Sequence, residues 1–295
     1  MASHSKDQYF VPDASIYPFA CSIALFCIAI GGASFLNGVS FAPYLMQFGF
    51  LVMAVLLFRW FATVINESPD YNMDVDMSFR MGMSWFIFSE VMFFAAFFGA
   101  LYYIRHLSIP WLADTELLWP GFEATWPSSG PIGAELVTNG LPSASDVMEG
   151  TRYGLVDPLH LPLYNTLLLL TSSITLTISH HAIRANNRTQ AIIWLAATVA
   201  LGVWFLYLQV AEYIEAYQIL GLTMGTGVYG STFFLLTGFH GFHVTLGAFI
   251  LFIVLLRMMK GHFSADKHFA FEAGAWYWHF VDVVWVGLFI FVYIL

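Results

Sequence analysis

The chain reads as an all-α membrane protein with seven transmembrane helices, its N-terminus inside and its C-terminus outside. Three observations carry that expectation. The 295 residues are 59% hydrophobic and only 10% charged, with a mean hydropathy of +0.73; an ordinary soluble domain carries about 25% charge. Seven runs reach the ~20 apolar residues that a bilayer span needs. The Lys and Arg residues fall into two unequal groups between those runs.

The expected spans are 16–36, 41–65, 79–105, 161–184, 190–214, 229–258 and 271–294, read as one transmembrane domain over 1–295. Gly38, Val39, Ser40 and Pro43 separate the first two. The stretch 66–78, with Pro69, Asp70, Asp74 and Asp76, separates the second from the third. Between the third and fourth spans lies a long external loop, 106–160, rich in Pro, Gly, Ser and acids. It carries Trp111, Trp119 and Trp126, residues that favour a membrane interface or a partner surface. The Gly-rich stretch 221–227 precedes the sixth span. The polar N-terminal stretch 1–15 lacks a basic region followed by a short apolar core, so no cleaved signal peptide is expected.

Charge orients the spans. With the N-terminus inside, Lys6, Arg59, Arg80, Arg184, Arg188, Arg257, Lys260 and Lys267 fall on the inner side, and Arg105 and Arg152 on the outer. That eight-to-two division of the ten cations follows the positive-inside rule and requires an odd number of spans. The net charge of −9 argues against nucleic acid as a partner. Two cysteines, Cys21 and Cys27, lie six apart in an apolar run and are expected to be buried thiols, not a disulfide or metal pair.

Ionisable groups within the spans cost about 2.5–3.5 kcal/mol each on insertion scales and so need a reason. Glu90 lies near the middle of the third span, on a face with Gly82, Phe86, Ser89 and Phe93. It supports two readings: a protonatable group linked to a proton route or a lipid, or a neutral hydrogen-bonded carboxyl joining helices. Glu272, His279 and Asp282 share one face of the seventh span, as spacings of seven and three dictate, and read as an interhelical hydrogen-bond network or a proton relay. His240 and His243 sit among Gly238, Gly241 and Gly247 of the sixth span; His180 and His181 point about 100° apart on the fourth. The first pair, at i, i+3, could hold a metal or haem, but that needs ligands converging from several helices; the second is a poor chelating pair, and no metal is expected. Arg257, Lys260, His262, Lys267 and His268 form a basic cluster at headgroup level, suited to snorkelling and to an anionic lipid headgroup.

At this point a resemblance emerges. The segments GVYGSTFFLLTGFHGFHVTLG (227–247) and HFAFEAGAWYWHFVDVVWVGLFIFVYIL (268–295) resemble the C-terminal third of subunit III of the cytochrome c oxidases, a haem–copper oxidase family. FRMGMSWFIFSEVMFFAAFFGALYY (79–103), LPLYNTLLLLTSSITLTISHHAI (161–183) and LQVAEYIEA (208–216) are similar to further spans of that family. The likeness runs from about residue 16 onward and leaves out an acidic insertion at about 128–155.

The resemblance implies two groups of helices, one and two against three to seven, separated by a V-shaped lipid-filled cleft. It implies an accessory, non-redox subunit of an aerobic respiratory oxidase, with structural phospholipids and no cofactor of its own. Haem and copper belong to partner subunits: subunits I and II, with room for a small subunit IV. Attributed roles are support of proton uptake, protection of the catalytic core from turnover inactivation, and guidance of oxygen. Carried over by position, Glu90 matches the family's carbodiimide-reactive buried glutamate. Trp60, Gly82, Phe86 and Ser89 match positions lining one lipid region, and His243, Arg257, Lys260, His262, Ser264, Lys267 and His268 a second. Ser264 stands where Thr is common and Lys267 where His is common, which keeps a hydroxyl and adds a permanent charge. Asn66 falls where an Arg can occur, a departure in the first lipid region.

Subunit III of a quinol oxidase usually has five spans and a shorter chain. A stand-alone proton-conducting transporter would show broken helices or an inverted repeat, and neither is evident. A retinal protein needs a Lys in the seventh span, which has none. A haem–copper core needs histidines converging from several helices, and the chain lacks a His-Pro dipeptide. The insertion favours a bacterial plasma membrane over a mitochondrial inner membrane.

Overall fold

A computed structural model describes residues 14–68, 71, 73–131, 142–149 and 152–295. Lys6, Pro69, Asp70, the polar N-terminal stretch up to Asp13, and residues 132–141 and 150–151 of the expected insertion lie outside the described residues. Among those described, the chain is all-helical and contains seven helices long and apolar enough to cross a membrane.

The chain divides into two compact units, with the boundary between Met81 and Gly82. The first is built on α1 (Tyr17–Leu36) and α2 (Ala42–Glu67). Each opens on a proline in its first turn, Pro18 and Pro43, where the missing N–H costs nothing and the fixed φ suits the helix. The Asn37 side chain donates to Ala33 O and Gly38 takes a positive φ, so α1 stops and the chain reverses. The two helices touch backbone to backbone. A Cβ on Gly31 would lie 2.7 Å from Met46 N, and one on Gly49 2.9 Å from Ile28 N. Small residues at such crossings are how helices gain dispersion contacts in a solvent that offers no hydrophobic drive. Tyr17 stacks on Trp60 and its hydroxyl lies 3.3 Å from Thr63 Oγ1. Ala24 and Gly31 are the buried residues of α1; Cys21 and Cys27 are half-buried, which corrects the expected burial, because they lie off that stripe.

α3 (Met73–Tyr103) starts six residues before the expected 79. Its first turn holds Asp74 and Asp76, which complement the helix N-terminus, and Arg80 donates to Asp76 at 2.7 Å one turn on. The helical path also outruns its expected end at 105. A π turn at Ile104–Ser108 leads straight into α4 (Ile109–Ala113). Pro110 cannot donate into the ladder, and the wider turn before it absorbs the missing bond. The apolar side chains around that proline keep the run continuous, so the long loop begins near Asp114 and not at 106.

The second unit contains Gly82 onward. Here α6 (Leu161–Arg184), α7 (Arg188–Gln218), α8 (Val228–Met259) and α9 (Phe269–Leu288) each pack on the next, and α9 closes the ring on α6. A π turn, Phe289–Ile294, extends α9. Asn187 caps α7 by accepting from Gln190 N, and Asn186 takes the left-handed conformation that ends α6. The rest of α3 lies along α8 and α9: Phe93 and Phe97 meet Phe239, Phe94 meets Phe280, and Phe86 stacks on Tyr277.

Two tryptophans of α9 hold the ring. Trp278 is fully buried; its indole N–H donates to Ser172 Oγ on α6 at 2.8 Å. Its ring runs against Gly202 of α7 and Gly247 of α8, where added Cβ atoms would fall 2.6 and 3.0 Å from ring carbons. Seven residues on, Trp285 donates to Thr166 Oγ1 on α6 and packs against Phe205 of α7 and His240 of α8. Each indole thus touches three other helices and satisfies its own polar atom.

The described part of the long loop folds back on this unit. Tyr229 N at the start of α8 donates to Ser128 O, and Gly227 has φ 99° with room for no Cβ beside Ser129 O. Tyr153 is buried against Tyr229 and accepts from Ser129 Oγ at 3.0 Å; burial pushes its hydroxyl pKa up. Trp126 packs on Tyr229 beneath the Arg105 guanidinium, while Trp111 is exposed against Tyr103. A short helix, α5 (Ala144–Glu149), lies within the region expected to be an insertion.

Candidate functional site

Four clusters in the second unit hold a carboxyl group between helices or helical turns. The first is Glu90. Its Oε2 lies 2.9 Å from His243 Nε2 of α8, with the two side chains 22% and 8% exposed. The other ring nitrogen, Nδ1, lies 2.6 Å from Phe239 O and must donate to it. The Nε2–carboxyl contact ties α8 to α3. Phe93, Phe94, Tyr277 and Phe280 surround the imidazole.

The second place is the start of α9. Glu272 Oε1 lies 3.2 Å from His268 Nε2 and 3.4 Å from His180 Nε2 on α6, and the two nitrogens are 3.3 Å apart. The third is at mid-helix. His279 Nδ1 donates to Ser173 Oγ at 3.2 Å, and Ser173 donates to Asp282 Oδ2 at 2.7 Å. Glu272, His279 and Asp282 all meet α6, as a shared helix face requires, but they divide between two separate clusters. The fourth joins α7 to the chain's last turn: Tyr293 donates to Glu212 Oε1 at 2.6 Å, and Gln209 Nε2 reaches the same oxygen at 3.4 Å. Glu212 is 1% exposed.

The remaining predicted positions fall as follows. Gly82 faces open space, Phe86 is partly exposed and stacks on Tyr277, and Ser89 Oγ bonds back to Phe86 O. Trp60 lies in the first unit. Arg257 lies over the Phe263 ring; Lys260, His262 and Lys267 are exposed along the turn that joins α8 to α9. Ser264 shapes that turn: its Oγ accepts from Lys267 N and its carbonyl accepts from His268 Nδ1. His268, read with the basic cluster, and His243, matched by the resemblance to the second lipid region, are buried beside Glu272 and Glu90. His240 donates from Nε2 to Val281 O, so its ring is committed to holding α8 against α9.

Glu212, Ser172, Ser173 and Tyr293 were missed. An acid in an apolar run is a usable signal for Glu212, which lies two residues before the expected end of its span at 214. The two serines carry no signal without knowledge of what faces them.

Comparison with known proteins now bears directly on this arrangement. The cytochrome c oxidase subunit III profile matches residues 7–132 and 148–295. The chain belongs to the cytochrome c oxidase subunit III family. Relatives named cytochrome c oxidase subunit 3 include those of Prototheca wickerhamii, 37% identical over 98% of this chain and 97% of its own. Those of Petromyzon marinus and Cyprinus carpio are each 38% identical over 99% of this chain and 98% of theirs. The family membership makes this chain part of a multisubunit oxidoreductase complex in a membrane. The unmatched residues 133–147 fall within the insertion expected at 128–155 and include the start of α5.

Proposed function

We propose that this chain is the accessory, non-redox third subunit of a cytochrome c oxidase, seated against the subunits that carry haem and copper. The Glu90–His243 pair carries the reading. A carboxyl partly exposed along a membrane-length helix and held 2.9 Å from a buried imidazole is an ionisable group with a built hydrogen-bond partner. Such a pair supports a role in sustaining proton uptake by the complex and so in protecting it during turnover. The chain's relatives are named for the cytochrome c enzyme, which supports that oxidase over a quinol oxidase.

Lipid contact rests on two features. Phe86 and Ser89 leave the outward face of α3 open beside Glu90, and the exposed Lys260, His262 and Lys267 line the α8–α9 turn. Together with Arg257 they suit an anionic headgroup. The eight-to-two distribution of cations supports an inner N-terminus, and the insertion supports a bacterial plasma membrane.

In the intact complex, Glu90→Gln is expected to leave the initial rate of oxygen reduction unchanged. It should shorten the catalytic lifetime about fivefold, the kinetic equivalent of one net hydrogen bond of ~1 kcal/mol. Loss of oxygen reduction in a normally assembled Glu90→Gln complex would overturn the accessory role. A colourless chain that conducts protons when reconstituted alone would favour the transporter class instead.

A further inference from the structure

The cluster around Glu212 holds more polar atoms than its own bonds use. Glu212 and Gln209 of α7 are 1% and 6% exposed, and Asn165 of α6 is 0% exposed. Tyr293 and Gln209 Nε2 both donate to Glu212 Oε1. That leaves Glu212 Oε2 and Gln209 Oε1 without a partner among the described residues, and Asn165 has none at either Oδ1 or Nδ2. Four buried polar atoms on three side chains are thus unbonded.

The packing of the helices brings those side chains together. α6 and α7 run antiparallel: Ser179 Oγ donates to Ala191 O, Thr175 Oγ1 lies 2.8 Å from Thr198 Oγ1, and Thr166 and Phe205 share the Trp285 indole. The same progression sets Asn165 level with the turn 206–209 of α7. Phe205, Gln209 and Glu212 follow one another at spacings of four and three, on one face of that helix. α9 runs parallel to α7, so Trp285 meets Phe205 and, about two turns on, Tyr293 meets Glu212. The Trp285 ring lies 5.9 Å from the Tyr293 ring and its nitrogen donates to Thr166. The indole therefore borders both ends of the group, with Thr166 beside Asn165 and Tyr293 beside Glu212.

The donor set selects the guest. An unpaired buried donor or acceptor carries its full desolvation penalty, so atoms like these call for a partner. A metal ion engages oxygens alone and would leave the two hydrogens of Asn165 Nδ2 unbonded. Hard cations also gather six or more oxygens, and the unbonded set here offers three. Water both accepts and donates. One molecule can accept from Asn165 Nδ2 and donate to Gln209 Oε1 and Glu212 Oε2, which makes the three bonds usual for a buried water. From these observations we infer that Asn165, Gln209 and Glu212 form a binding site for at least one structural water, held between α6, α7 and the chain's last turn. Trp278 and Trp285 join α9 to α6 by direct bonds. At the Tyr293 end the joint is made through solvent, and the Glu212 carboxyl has a hydrogen-bonding partner that is neither lipid nor protein.

The test is the density of the intact oxidase complex, in a map that resolves ordered waters elsewhere in the molecule. The wild type is expected to show a peak within about 2.7–3.2 Å of at least two of the Asn165 amide, Gln209 Oε1 and Glu212 Oε2. Asn165→Leu replaces the amide with an apolar side chain of similar size and should lose that peak, with the waters elsewhere in its map as the reference. The wild-type map decides the matter even where the variant fails to assemble. No peak there overturns the site. So does a peak that survives unchanged in Asn165→Leu, or one held at about 2.3–2.6 Å by oxygens alone, which is the signature of a cation.

Discussion

Gly202 offers the sharpest test of how the bundle is held. A Cβ there would lie 2.6 Å from Trp278 Cη2 and 3.0 Å from Cζ2, against an ordinary carbon contact of about 3.5–4.0 Å. In Gly202→Ala the indole must therefore retreat by about 1 Å. Gly247 stands on another side of the ring, and the retreat draws the indole nitrogen from its 2.8 Å bond to Ser172. Overpacking of this kind costs about 1–3 kcal/mol and the lost bond about 1 kcal/mol, so the expected destabilisation is about 2–4 kcal/mol. Helix propensity alone acts the other way, since alanine is favoured over glycine by about 1 kcal/mol. The assay is unfolding of the purified chain in mixed micelles titrated with denaturing detergent, read by near-ultraviolet circular dichroism. The control is Trp278→Phe, whose smaller ring lacks the atoms that meet Gly202. In that background the Gly202→Ala cost should disappear or reverse, an interaction energy of at least ~2 kcal/mol in the double-mutant cycle. Additive costs would refute the claim that the glycine is there for the indole.

Two further expectations concern polar groups. Ser173→Ala removes the donor to the buried Asp282 carboxyl and should cost about 1–3 kcal/mol in the same unfolding assay; adding Asp282→Asn should recover much of it, and no recovery would show that the serine acts by packing alone. In α5, Ser143 donates from its hydroxyl and its backbone N–H to Asp146, and Asp146 N donates back to the Ser143 hydroxyl. This reciprocal cap holds the Asp146 carboxyl below its ordinary value of 3.8, through the side-chain bond first and the backbone bond second. The cap's contribution is present above that ordinary value and is lost as pH falls through the depressed one. A ¹³C titration of the Asp146 carboxyl should have its midpoint below 3.8 and shift upward in Ser143→Ala.

The spans were legible because hydropathy over twenty residues is a property of the chain itself, and helix ends erred by only a few residues. The largest error came at Pro110, where a residue that usually ends a helix sits two residues after a π turn that accommodates it. The titratable residues were legible too, since each stands out against an apolar run. Their partners were not. Glu90 meets His243 across 153 positions, and His180 meets His268 across 88. No periodicity within one helix reports which neighbour it faces. His180 has only His181 near it in the chain, while the groups it meets, His268 and Glu272, come from the start of α9. Ser173 and Ser172 were invisible for the same reason: a serine on an apolar helix ordinarily bonds its own preceding turn, and only packing reveals that these two also receive α9.

The grip on Trp278 has a consequence for the order in which the molecule is built. Ser172, Gly202 and Gly247 belong to three helices that leave the ribosome before α9 does. Until α9 joins them, the three surfaces that grip the indole have no common partner, so docking of Trp278 is the step that ties all three together.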